Sequence, residues 1–193
     1  MNKAELRRNI LKYSKRFYKN TFVLEIDGFV RTTFKQRSVN KFTNNYIKAT
    51  VLNEFYSTNV LAIEKIAHHI ARKTNFDAMI ENGSLKAVDS IRVGHGIKRS
   101  KGGKEIDFYS FATKYCCLHN PSAYPIYDKY VFQLLQELNG HFKWLDEIND
   151  LTLRNYKKHA EVINKCMLSA GINGWDYKKV DEALWTWAKE KYD

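Results

Sequence analysis

Apolar residues recur at helical spacing along most of the chain. From Ala4 to Lys19, Leu6, Ile10, Tyr13 or Ser14, and Phe17 fall on one side of a helix. The rest of that helix is basic, with Arg7, Arg8, Lys12, Lys15, Arg16 and Lys19. Such a face is either solvated or turned toward phosphates. From Thr21 to Lys35 the signal changes. Phe22, Leu24 and Ile26 alternate with Val23, Glu25 and Asp27, and Asp27-Gly28 is a turn signal. A short hairpin or a loop with helical turns is expected there. Val39 to Phe55 is helical by pattern, through Phe42, Tyr46, Ala49, Thr50 and Asn53. Ser57, Thr58 and Asn59 offer caps for a helix from Val60 to Arg72 that buries Leu61 or Val60, Ile63, Ala67, Ile70 and Ala71.

Phe76 to Glu81 reads as a short helix ended by Asn82-Gly83, and Ser84 caps another from Leu85 to Arg92. A glycine-rich, basic stretch follows, Val93 to Lys104. The next helix runs through Ile106, Tyr109, Thr113 and Cys116 and stops at Asn120-Pro121. Both prolines, Pro121 and Pro125, lie between that helix and one opening near Asp128. The residue before a proline is pushed out of helical geometry, so this corner is firm. Asp128 to Leu138 is expected to end at Asn139-Gly140, Leu153 to Ala170 at Gly171, and a last helix opens at Asp176 or Tyr177. The last carries Val180, Leu184, Trp187 and Ala188, with Trp185 off the stripe. The pattern predicts about eight or nine helices and few strands, an all-α domain.

Composition adds a core and a charge. Hydrophobic residues make up 44% and aromatic residues 14%, far from a disordered composition. Lys and Arg number 32 against 21 Asp and Glu, a net charge of +11. That excess favours a polyanionic partner, nucleic acid above all, over a surface kept basic for solubility. The odd cysteine count, Cys116, Cys117 and Cys166, suggests no disulfide framework and a reducing compartment. No apolar run approaches a membrane span, so a cytoplasmic protein without membrane contact is expected.

Four groups of residues could carry chemistry. Gly94, Gly96, Gly102 and Gly103 lie between two helices with Lys98, Arg99, Lys101 and Lys104. Glycines there free backbone N–H groups to face a phosphate, suiting a sequence-independent grip on nucleic acid. The second group is a lysine with an aspartate. A lysine amine in a dry pocket can attack a sugar carbon, and a carboxylate can stabilise the cationic sugar. Lys104 and Lys114 are the lysines near Asp128, although Lys114 can snorkel to water and Asp128 can simply cap its helix. Third, Cys116 and His119 are spaced i and i+3, but no second ligand pair accompanies them, and the neighbours His68 and His69 cannot share a helical face. No metal or other cofactor is expected. Fourth, the aromatic surplus makes Tyr115, Tyr127 and Trp185 candidates to stack on an extruded base.

The phrase SFATKYCCLHNPSAYPIYDKYV, Ser110 to Val131, is similar to one in a group of uncharacterised bacterial proteins, as are Leu52 to Asn59 and Leu184-Trp185. More distantly, the arrangement resembles the helix-hairpin-helix DNA glycosylase superfamily. That resemblance implies a hairpin that grips DNA, a catalytic lysine on the following helix in lyase members, and a catalytic aspartate after a proline stretch. The aspartate corresponds to Asp128, with Tyr127 as an extra residue before it. The lysine corresponds cleanly to neither candidate: Lys104 stands far from Asp128 in sequence and Lys114 lies deep in its helix.

The expectation is one all-α domain over residues 1–193, in two helical lobes with a basic cleft between them and a hairpin-like region at 84–119. Its implied role is DNA binding in a glycosylase-like fold, with or without base excision by Asp128 and Lys114 or Lys104. The alternative is a non-catalytic module for nucleic acid or protein. The lesion, the strand preference and the oligomeric state stay open.

Overall fold

The computed structural model of the chain describes residues 1–35 and 41–193. Among these, eleven helices form and no strand does, so the chain is all-helical. The helices are α1 Lys3–Phe17, α2 Thr21–Lys35, α3 Phe42–Tyr56, α4 Ile63–Ala71, α5 Phe76–Glu81, α6 Lys86–Arg92, α7 Tyr109–His119, α8 Lys129–Phe142, α9 Asp150–Arg154, α10 Tyr156–Ala170 and α11 Tyr177–Tyr192. They fall into two compact units. The first joins Met1–Leu24 to Pro125–Asp193, and the second is Glu25–Tyr124. None of the described helices is long and apolar enough to cross a membrane.

In the first unit α1 packs against α10 and α11. Asn2 caps α1 by accepting the Glu5 N–H, and the expected stripe of Leu6, Ile10, Tyr13, Ser14 and Phe17 is buried. Each such aliphatic side chain contributes about 1.5–3 kcal/mol on burial. Tyr13 stacks on Trp187 of α11, with ring centroids 5.7 Å apart. Arg7 leaves the basic face and donates to the carbonyls of Ala170 and Gly171, the end of α10. A buried ion pair, Lys178 with Glu182 at 3.0 Å, lies on α11, and the Tyr18 hydroxyl donates to the same carboxylate.

The same unit corrects two expected boundaries. The helix expected at Leu153 to Ala170 is two helices, because Asn155 leaves helical geometry and its side chain caps α10. The expected stop at Asn139-Gly140 does not occur; α8 runs on to Phe142. Asn139 instead uses its side chain to clamp the outgoing chain, donating to the Leu145 carbonyl and accepting the Leu145 N–H.

The second unit is built around α7. Phe111 to Leu118 are all buried, the mark of a helix apolar on every side. Helices α3 and α6 pack on it. The proline corner that follows α7 is tied back to α5. The Tyr124 hydroxyl donates to the Met79 carbonyl at 2.9 Å, and the Asn120 amide donates to the Ile80 carbonyl at 2.9 Å.

Thr21 to Lys35 is a helix, neither hairpin nor loop. Its buried set is Asp27, Val30, Thr33 and Phe34, at helical spacing, and Gly28 lies exposed within it. Asp27 tolerates burial because Arg31 and the Tyr56 hydroxyl both donate to it. The expected helical start at Val39 lies outside the described residues; α3 begins at Phe42. Helix α4 begins at Ile63, later than Val60.

Candidate nucleic-acid interface

On the first unit, α1 presents a basic groove lined by Arg8, Leu11, Lys12, Lys15, Arg16 and Lys19. The five cations are exposed. At a rise of about 1.5 Å per residue the helical row from Arg8 to Arg16 extends for about 12 Å, and Lys19 follows just past the end of α1. Arg16 is also paired with Glu190, and the Lys12 amine lies over the Tyr13 ring. The burial of Leu6, Ile10 and Phe17 on the opposite side fixes this orientation, so the core stripe itself aims the cations outward.

On the second unit, the linkage between α6 and α7 is a small closed hairpin. Lys98 and Glu105 form an isolated antiparallel bridge, and the Ile106 N–H donates to the Ile97 carbonyl at 2.9 Å. Lys98, Arg99, Lys101 and Lys104 are exposed along it, with Gly102 and Gly103 at the turn. Its base is pinned by Arg92 to Asp107 and by the Phe108 N–H donating to the Arg92 carbonyl. His95 is buried there, with Nδ1 accepting the Ile97 N–H and Nε2 facing the Arg92 carbonyl. The amides of Gly94 and Gly96 donate to the Glu105 carboxylate. Sequence reasoning misses Glu105, whose one signal is a lone acid closing a run that holds four cations.

The remaining candidates are divided between the two units. Lys114 is 5% exposed on α7, and its amine donates to Ser110 Oγ at 3.0 Å and faces the Tyr56 carbonyl. Asp128, in the first unit, caps α8 by accepting the Tyr130 N–H at 3.0 Å. Tyr115 has no exposed surface: Phe34, Phe76 and Phe111 surround its ring, and its hydroxyl donates to Asn45 Oδ1. Burial raises its phenol well above the ordinary value. Tyr127 is buried in the first unit and donates to Asp150 at 2.8 Å, while Trp185 is half-buried on α11. Cys116 is fully buried, with its thiol pushed up by burial, and His119 meets Lys48. Among the described residues no three His, Cys, Asp or Glu gather as a metal site would need.

Fold and surface together define an all-helical protein with cationic faces on each of its two units. Residues 9–123, more than half of the chain, match the model of the HI_0787_N family, an N-terminal domain, and the chain belongs to that family. It is also 38% identical over 138 residues to a Haemophilus influenzae protein named "Uncharacterized protein". That alignment covers 72% of this chain and 63% of the relative, so the chain spans less than two thirds of the relative's length. No solved structure matches the chain. The expected likeness to uncharacterised bacterial proteins is thereby shown.

Proposed function

We propose that this protein binds the sugar-phosphate backbone of nucleic acid, probing charge rather than sequence. The observation that carries the reading is the α1 groove, where Arg8, Lys12, Lys15, Arg16 and Lys19 line one exposed face. Cations in a row exchange counterions for phosphates, which supplies affinity without base contacts. The exposed cations of the 93–104 hairpin supply a second polyanion-seeking surface. The α6–hairpin–α7 arrangement is, on this reading, the counterpart of the helix-hairpin-helix element of the DNA glycosylases.

The test is binding of a fluorescent DNA duplex as salt is raised. Four phosphate contacts by Arg8, Lys12, Lys15 and Lys19 give a slope of log affinity against log salt of about −3.6. Binding that ignores salt overturns the reading and favours a protein-interaction module.

A second reading adds base excision, with Lys114 or Lys104 of the second unit as the amine. One observation favours it. Lys114 holds its amine inside the unit beside a serine hydroxyl, as Schiff-base chemistry requires of a nucleophile kept from bulk water. Trapping on a lesion-bearing duplex tests it.

A further inference from the structure

The hairpin between α6 and α7 holds an anion of its own. Gly94 has φ +87° and Gly96 has φ +74°, values that residues with a side chain rarely adopt. At Gly94 the space is also tight, since an added Cβ would stand 3.1 Å from His69 Cε1. This backbone turns successive amides toward one point, and the Glu105 side chain fills it. The Gly94 N–H donates to Oε2 at 2.9 Å, and the Gly96 N–H donates to Oε1. The backbone N–H groups of Gly94, Gly96 and His95 together hold the Glu105 carboxyl below its ordinary value. A concavity of consecutive backbone N–H groups is a general oxyanion receptor and recurs at phosphate sites.

The surroundings favour an anion and leave it an exit. Lys98, Arg99, Lys101 and Lys104 are exposed on the same loop. The Glu105 side chain is 27% exposed, so its carboxylate can swing into water. Behind the turn, His95 Nδ1 lies 3.3 Å from Glu105 Oε1 but already accepts the Ile97 N–H. His69 donates from Nε2 to the Ser90 carbonyl, and Arg92 is held by Asp107. These groups brace the turn and spend none of its three amides.

We propose that the Gly94–Gly96 turn is a phosphate site and that Glu105 is its built-in competitor, which must leave before a phosphate enters. A carboxylate and a phosphate offer the same paired oxygens to the same donors. Tethered on the other arm of the same hairpin, 9 residues from Gly96 and 11 from Gly94, the carboxylate acts at a high effective concentration and keeps free phosphate out. The polyanion that displaces it also gains the four neighbouring cations. This site is independent of whether α1 grips nucleic acid, and its probe is inorganic phosphate.

The test follows the backbone amide signals of Gly94, His95 and Gly96 in the isotope-labelled full chain. Phosphate is added at constant ionic strength to wild type, Glu105→Ala and Glu105→Gln. In Glu105→Ala, saturable shifts confined to these amides are expected, with affinity at least about tenfold above wild type. Exchange protection of the Ile106 amide, which donates to Ile97, reports whether the hairpin stays closed. A closed hairpin with no saturable shift overturns the proposal. If Glu105→Ala opens the hairpin, Glu105→Gln decides: phosphate-dependent shifts at the three amides uphold the site, and their absence ends it.

Discussion

The Lys48 ammonium lies 3.2 Å from Nε2 of His119, and Lys48 has no exposed surface. Burial first, and the Lys48 charge second, hold the His119 imidazole down at about 3. In the first unit burial holds His159 at about 4, against the pull of its bond to the Ile126 carbonyl. Among the described residues its Nδ1 has no hydrogen-bond partner, so a second ring proton would have none of them to meet. The unfolded chain binds these protons near pH 6.5 and the folded chain does not, so stability rises with pH between the folded and unfolded values. From pH 7 to pH 5 each histidine costs about 2 kcal/mol. Urea unfolding at the two pH values checks this: the wild-type midpoint should fall at pH 5, and His119→Asn should flatten the fall.

Tyr124 holds the proline corner to α5 through its hydroxyl, which donates to the carbonyls of Met79 and Ser84 at 2.9 and 3.1 Å. Tyr124→Phe keeps the ring and removes this tie, while the Met79 and Ser84 carbonyls still accept the N–H groups of Ser84 and Ala87. A loss of about 0.5–1.5 kcal/mol is expected by chemical denaturation. An unchanged midpoint would show that the corner does not depend on the Tyr124 hydroxyl.

Glu182 faces both Lys178 and the Tyr18 hydroxyl inside the first unit. Glu182→Ala removes the carboxylate from a buried ammonium and should cost about 3–5 kcal/mol. Replacing both partners, Lys178→Met with Glu182→Leu, should recover most of that loss. If the double variant is no better than the single one, the pair is not the source of the cost.

The helices that bury one plain stripe are legible from the residues alone. Leu6, Ile10 and Phe17 announce α1, and the all-helical class follows from many such stripes. Helix α2 is not legible, because Phe22, Leu24 and Ile26 mimic a strand while its buried face includes Asp27. That burial rests on the local partner Arg31 and also on the Tyr56 hydroxyl, 29 residues away, and no local pattern displays a tertiary partner. The break at Asn155 is hidden for a similar reason: the apolar register continues across it, and only the side-chain cap reveals two helices. At the candidate interface the exposed cations are readable, since charge rarely lies in a core. The use of the glycine amides is not, because Glu105 reaches them only once the hairpin has closed.

Base excision makes its own prediction. If Lys114 attacks a sugar carbon, borohydride should trap the wild-type chain on a lesion-bearing duplex, and Lys114→Ala should abolish the adduct. Trapping that persists in Lys114→Ala and vanishes in Lys104→Ala would assign the amine to the hairpin. No adduct across a panel of lesions would end the excision reading and leave backbone binding intact.

The most direct measurement is the salt dependence of duplex binding for wild type beside Lys12→Glu with Lys15→Glu. Both positions are exposed on α1, away from its buried stripe, so the fold should survive. The wild-type slope should be about −3.6, and the double variant should lose at least two contacts' worth, falling to about −1.8 with much weaker affinity. Equal slopes and affinities for the two proteins would contradict the assignment of α1 as the surface that meets nucleic acid.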